Sequence, residues 1–90
     1  MVTKIDPIEN KRNEIDAIDL KLMKLLKARI QIVDELKILK RASNLSMLQK
    51  LQEQRKTKMF HDFAESHNLD KAHYSAFYNC LHEIALDIQR

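Results

Sequence analysis

Arg29 and Lys40 interrupt an otherwise apolar helical stripe. Arg29 follows Leu25 by four positions and Leu22 by seven, and Lys40 stands in the same relation to Leu36 and Val33. The interval between the two cations is close to three whole turns, so both project from one face, about 16 Å apart at the backbone. Two long cationic side chains reaching across that gap would clamp a small anion. The same pattern arises when each cation lays its stem on apolar surface and keeps its head in water, or pairs with a carboxylate on a neighbouring helix. Arg12 lies about 25 Å down the axis from Arg29 and about 100° around it. It cannot serve that pocket from its own helix, but in an antiparallel dimer it could reach the Arg29–Lys40 pocket of a second copy.

Two further groups of polar residues carry possible chemistry. Gln49 and Glu53 sit one turn apart with Gln52 beside them, on a face that is either solvated or turned to a ligand. Gln89 lies four after Ala85 and eight after Leu81, so it continues an apolar side; helix-end glutamines are also ordinary surface residues. His61, His67, His73, His82 and Cys80 contain no i,i+4 ligand pair, and no metal site is expected. Cys80, beside Leu81, reads as a small core residue. Tyr74, Phe77 and Tyr78 at helical spacing read as core.

The elements that would hold these residues are helical. Asp6 is a plausible cap and Pro7 suits a first helical position. From there Ile8, Ile15, Ile18, Leu22, Leu25, Leu26, Ile32, Val33 and Leu36 keep helical spacing, which predicts a helix over 8–42. Arg41-Ala42-Ser43-Asn44 reads as a loop. A second helix is predicted over 46–66, capped by Ser46, with Leu48, Leu51, Met59, Phe60 and Phe63 as its apolar positions. A turn at Ser66–Asp70 leads to a third helix over 71–89, with Asp70 as its cap.

Composition narrows the classes. The 90 residues contain no glycine, one proline, no tryptophan and one cysteine. Without glycine there is no Rossmann or P-loop phosphate cradle, and hairpins with primed turns are disfavoured. Cys80 cannot form an internal disulfide, which fits a reducing, cytoplasmic setting. The charged N-terminal stretch does not resemble a signal peptide, and no apolar run approaches a membrane span. Net charge is +3 and the pI about 9.1, which suits a nucleic-acid binder or an enzyme for a dianion. The Lys50, Arg55, Lys56 and Lys58 cluster supports the former, but acidic residues interleave with it, so no nucleic acid is expected. A first helix of this length is too long for the other two to cover on all sides. The economical solution is a symmetric dimer, six helices around a shared core.

The run Arg12-Asn13-Glu14-Ile15-Asp16-Ala17-Ile18-Asp19, followed by Leu22, Leu25, Leu26, Arg29 and Lys40, resembles the all-α (type II) chorismate mutases. The likeness extends from about Ile8 to Gln89 and includes Asn68-Leu69-Asp70. It implies a single all-α domain over residues 1–90, one long and two shorter helices per chain, in an intertwined homodimer of six helices. It also implies an isomerase of aromatic amino acid biosynthesis (the shikimate pathway) that turns chorismate into prephenate with no cofactor. By the resemblance, Arg29 and the partner copy's Arg12 would bind the substrate carboxylates. Lys40 and Gln89 would donate to the ether oxygen, and Glu53 would hold the ring hydroxyl.

The chain departs from the family's usual pattern at three positions. Gln49 stands where an aspartate is common, Gln52 where an arginine is common, and Ala85 where a serine is common. These changes imply weak affinity or a shifted substrate. Isochorismate-pyruvate lyase and 4-amino-4-deoxychorismate mutase are therefore alternatives on the same fold, and a non-catalytic helical dimer module is the alternative of another class. Convergence of Arg29, Lys40 and Gln89 on one pocket, as against scatter into solvent, separates the last from the rest.

Overall fold

The computed structural model describes residues 6–41 and 46–89, with side chains described for 6–40 and 50–89. Three helices follow one another: α1 (Pro7–Arg41), α2 (Ser46–Ser66) and α3 (Lys71–Gln89). Arg41, expected to begin a loop at 41–44, is instead the last residue of α1, because the helical pattern runs on through it; the rest of that loop and the side chains of Ser46 and Leu48 lie outside those described.

The helix ends are set by local chemistry. Asp6 Oδ1 accepts the Ile8 amide at 3.0 Å, which satisfies a first-turn donor while Pro7 occupies the position that needs none. Asp70 does the same for α3 through the Ala72 amide at 2.8 Å. Between α2 and α3 the Leu69 amide donates to Ala64 O at 2.8 Å and the Asn68 amide to Glu65 O at 3.3 Å. Asn68 has φ 55°, so this is a Schellman cap. Asparagine tolerates the left-handed region better than most residues with a Cβ, and it fills that role in a chain without glycine.

The turn lays α3 back against α2, and α3 also packs on α1, while α1 and α2 do not approach closely among the described residues. Phe60 joins α2 to α3 through tilted contacts with Tyr78 at 5.2 Å and Phe77 at 6.1 Å. Phe63 stacks on Tyr74 at 5.5 Å, and His61 Nε2 lies 2.6 Å from Ser75 Oγ. Ala64 and Tyr78 are the buried apolar residues among those described. Tyr78 is thus core as the periodicity indicated, Tyr74 is half-buried, and Phe77 is exposed. Cys80 is also exposed, which corrects its reading as a core residue. It lies two residues beyond Tyr78, about 200° around the helix and away from the face that α3 packs.

One chain covers little of its own apolar surface. The radius of gyration is 18.1 Å, with extents of 67 × 28 × 16 Å; a compact chain of this length would have about 12 Å. Ile15, Ile18, Leu22 and Leu25 along the N-terminal half of α1 are all exposed, Leu25 by 67%. The accessible surface is 7923 Å², whereas a compact monomer of this mass exposes about 5,500 Å².

Candidate active site

The three helices meet at one cleft of about 150 Å³. α1 contributes Arg29, Val33, Leu36 and Lys40; α3 contributes Tyr78, His82, Ala85, Leu86 and Gln89; α2 contributes Gln52, Glu53 and Lys56. The α1 residues fall at intervals of four, three and four, and Tyr78, His82, Ala85 and Gln89 repeat those intervals on α3. Each set is therefore one stripe of its helix, and the two stripes form facing walls.

Six positions singled out in the sequence, Arg29, Lys40, Gln52, Glu53, Ala85 and Gln89, line this cleft together. Two do not join them. Arg12 is exposed on the far half of α1, where its own helix holds it away from the cleft. Gln49 belongs to α2, and its side chain lies outside those described.

Arg29 Nη1 donates to Leu81 O at 3.3 Å. A helical carbonyl has a second lone pair to accept this bond, and the guanidinium keeps further N–H groups for a ligand. The contact fixes the register of α1 on α3 and brings the Arg29 guanidinium beside the turn that carries Ala85. Neither Arg29 nor Lys40 has a carboxylate partner among the described residues, which removes the ion-pair form of the ordinary reading. Both are half-buried. Gln52 Oε1 accepts from Arg55 Nε at 2.8 Å and is held along α2.

Three residues of the cleft went unmarked in the sequence. Lys56 was grouped with a basic cluster, yet it is half-buried in the cleft wall one turn beyond Gln52. It returns to this wall a positive charge that Gln52 lacks. The sequence raises His82 only as a candidate metal ligand. Its Nε2 lies 3.8 Å from Glu53 Oε1, and its ring stacks on Tyr78 with centroids 5.7 Å apart and planes 17° from parallel. Leu86 adds apolar wall. The signal for His82 was its spacing from Ala85 and Gln89, which puts it on the same stripe.

The charges in the cleft do not balance. Arg29, Lys40 and Lys56 are cationic, and Glu53 is the one carboxylate among the lining residues. A second, larger cleft of about 650 Å³ lies on the other side of Glu53, between α2 and the start of α3. There Lys50, Lys58 and Lys71 face Glu53, Asp62 and Glu65. Lys58 pairs with Asp62 at 2.6 Å, and this hydrogen bond and charge raise the lysine above its usual value. Lys71 pairs with Glu65 at 3.5 Å. Lys50 and Lys58 of the basic cluster thus line one cleft and Lys56 the other, while Arg55 lines neither, and the cluster does not form one phosphate-tracking face.

No helix among the described residues is long and apolar enough to cross a membrane, and no three described His, Cys, Asp or Glu side chains gather as a metal-holding group. A family model for chorismate mutase type II matches residues 11–90, and the chain belongs to that family. The comparisons with curated proteins and with solved structures gave no match.

Proposed function

We propose that this chorismate mutase type II chain acts as an isomerase that rearranges chorismate to prephenate, in the cleft where Arg29, Lys40, Glu53 and Gln89 come together. The observation that carries the reading is their shared cleft with its excess of cations. Three cations against one carboxylate leave two positive charges for a dicarboxylate to neutralise.

The rearrangement is unimolecular and pericyclic, so the protein's task is to hold the reactive conformer and to stabilise charge as the ether bond breaks. Arg29 holds one carboxylate, with the paired donors that a guanidinium offers. Lys40 and Gln89, one from each wall, donate to the ether oxygen as it becomes negative. Glu53 accepts from the ring hydroxyl. Val33, Leu36 and Leu86 add apolar wall beside these groups, and covering that wall with a second copy would strengthen each of these interactions.

The second carboxylate is met by Arg12 of a partner subunit in a homodimer. Each chain exposes about 2,400 Å² more than a compact monomer would, an excess on the scale of what each partner covers in an obligate homodimer. The exposed stripe on the N-terminal half of α1 is the surface that supports this pairing, and Arg12 is on that half. The assembled protein is then one helical domain per chain, in an intertwined pair with two equivalent sites. A reducing cytoplasm suits its single cysteine, and no nucleic acid or membrane enters the reading.

Ala85 in the cleft wall favours one second reading. It provides no hydroxyl where a serine is common in the family, as also in isochorismate-pyruvate lyases. The test is to incubate the purified protein separately with chorismate, isochorismate and 4-amino-4-deoxychorismate and to identify the products. Prephenate from chorismate is expected. Pyruvate from isochorismate alone would transfer the assignment to the lyase, and no turnover of any of the three would leave a non-catalytic helical module.

A further inference from the structure

We propose that His82 is a specificity-determining residue, forming with Glu53 a donor–acceptor pair that selects a ring hydroxyl over a ring amine on the substrate. The inference rests on the mutase reading above and narrows its substrate class.

The pair is spaced for a bridging atom. His82 Nε2 and Glu53 Oε1 are 3.8 Å apart, beyond direct hydrogen-bond length, and one oxygen placed about 2.8 Å from each fits between them. The imidazole is set in advance, stacked nearly parallel on the buried Tyr78 ring. The two groups are chemically unlike. A carboxylate only accepts, whereas a histidine whose Nε2 carries a proton donates from that atom, whether the ring is neutral or charged. A hydroxyl does both, giving its proton to Glu53 and accepting from His82. An aliphatic amine is an ammonium near neutral pH and only donates. It satisfies Glu53, but it leaves the half-buried His82 N–H facing a cation with no acceptor. Arg29 and Lys40 from α1 and Lys56 from α2 line the same cleft, so a further cation there also meets like charge.

The test compares chorismate with 4-amino-4-deoxychorismate, measuring kcat/KM and Kd for each with the wild-type protein, His82→Leu and His82→Gln. The wild type should favour the hydroxyl compound. His82→Leu should lower kcat/KM for chorismate about tenfold, the effect of losing one hydrogen bond, while the amine compound stays within about twofold. His82→Gln keeps an N–H donor and should recover part of the selectivity, which a purely structural role for the ring would not give. Equal losses on both compounds, an unchanged ratio, or a wild-type preference for the amine would overturn the inference and leave the mutase reading standing. A wild-type protein that neither binds nor converts either compound would overturn both.

Discussion

Glu53 stands between two clefts, and the smaller one is where we propose the chemistry takes place. The outer cleft, about 650 Å³, sets three lysines against three carboxylates, and two of those lysines are already paired. The inner cleft, about 150 Å³, sets three cations against one carboxylate between apolar walls, and its cations come from two helices. Exposed pairs such as Lys58–Asp62 contribute little, because water and salt screen them. Cations held half-buried without a carboxylate partner among the described residues keep their attraction for an incoming anion. The volume of a cleft is therefore a poor guide here, and uncompensated charge is the better one.

Substitutions can break this contrast. Lys40→Ala removes the donor proposed for the breaking ether and should lower kcat by at least ~10²–10³, measured by the loss of chorismate under saturating substrate. Leu25→Glu tests whether the inner cleft needs a second copy to complete it. A charge on that exposed apolar stripe, present twice in a symmetric pair, should weaken self-association about a hundredfold. Sedimentation should then show monomers at concentrations where the parent is paired, and activity should fall in step. Lys58→Ala combined with Lys71→Ala strips the outer cleft of its pairs and should leave kcat/KM within about twofold, with no measurable change in Tm. A large loss from that double substitution would reverse the assignment of the two clefts.

Much of this was legible in the sequence where the determining interactions are local. The helices expected over 8–42, 46–66 and 71–89 correspond to Pro7–Arg41, Ser46–Ser66 and Lys71–Gln89. Asp6 and Asp70 act within two residues of the amides they satisfy, so their side chains announce the helix starts. The common face of Arg29 and Lys40 was equally readable, because three turns of one helix fix it. What joins different helices was not. The Arg29–Leu81 contact sets the register of α1 on α3 across 52 residues, and no periodicity within either helix encodes it. For that reason Lys56 reads from the sequence only as part of a basic cluster, whereas His82 shares the stripe of Ala85 and Gln89 and Cys80 stands about 200° from Tyr78, both readable from positions around α3 alone. The family resemblance indicated Glu53 and Gln89 as partners of Lys40, and the structure gives all three one cleft.

The central claim is that a working site combines the inner cleft of one chain with Arg12 of another, and subunit mixing tests it most directly. Arg12→Ala and Lys40→Ala proteins, each nearly inactive alone, are unfolded together in equal amounts, refolded and assayed with chorismate. A mixed pair regains one intact site, since the Lys40→Ala chain supplies Arg12 to the cleft of its partner. Random pairing should restore about a quarter of the wild-type activity. Activity that stays at the level of the separate variants, with mixed pairs demonstrably formed, would contradict the shared site.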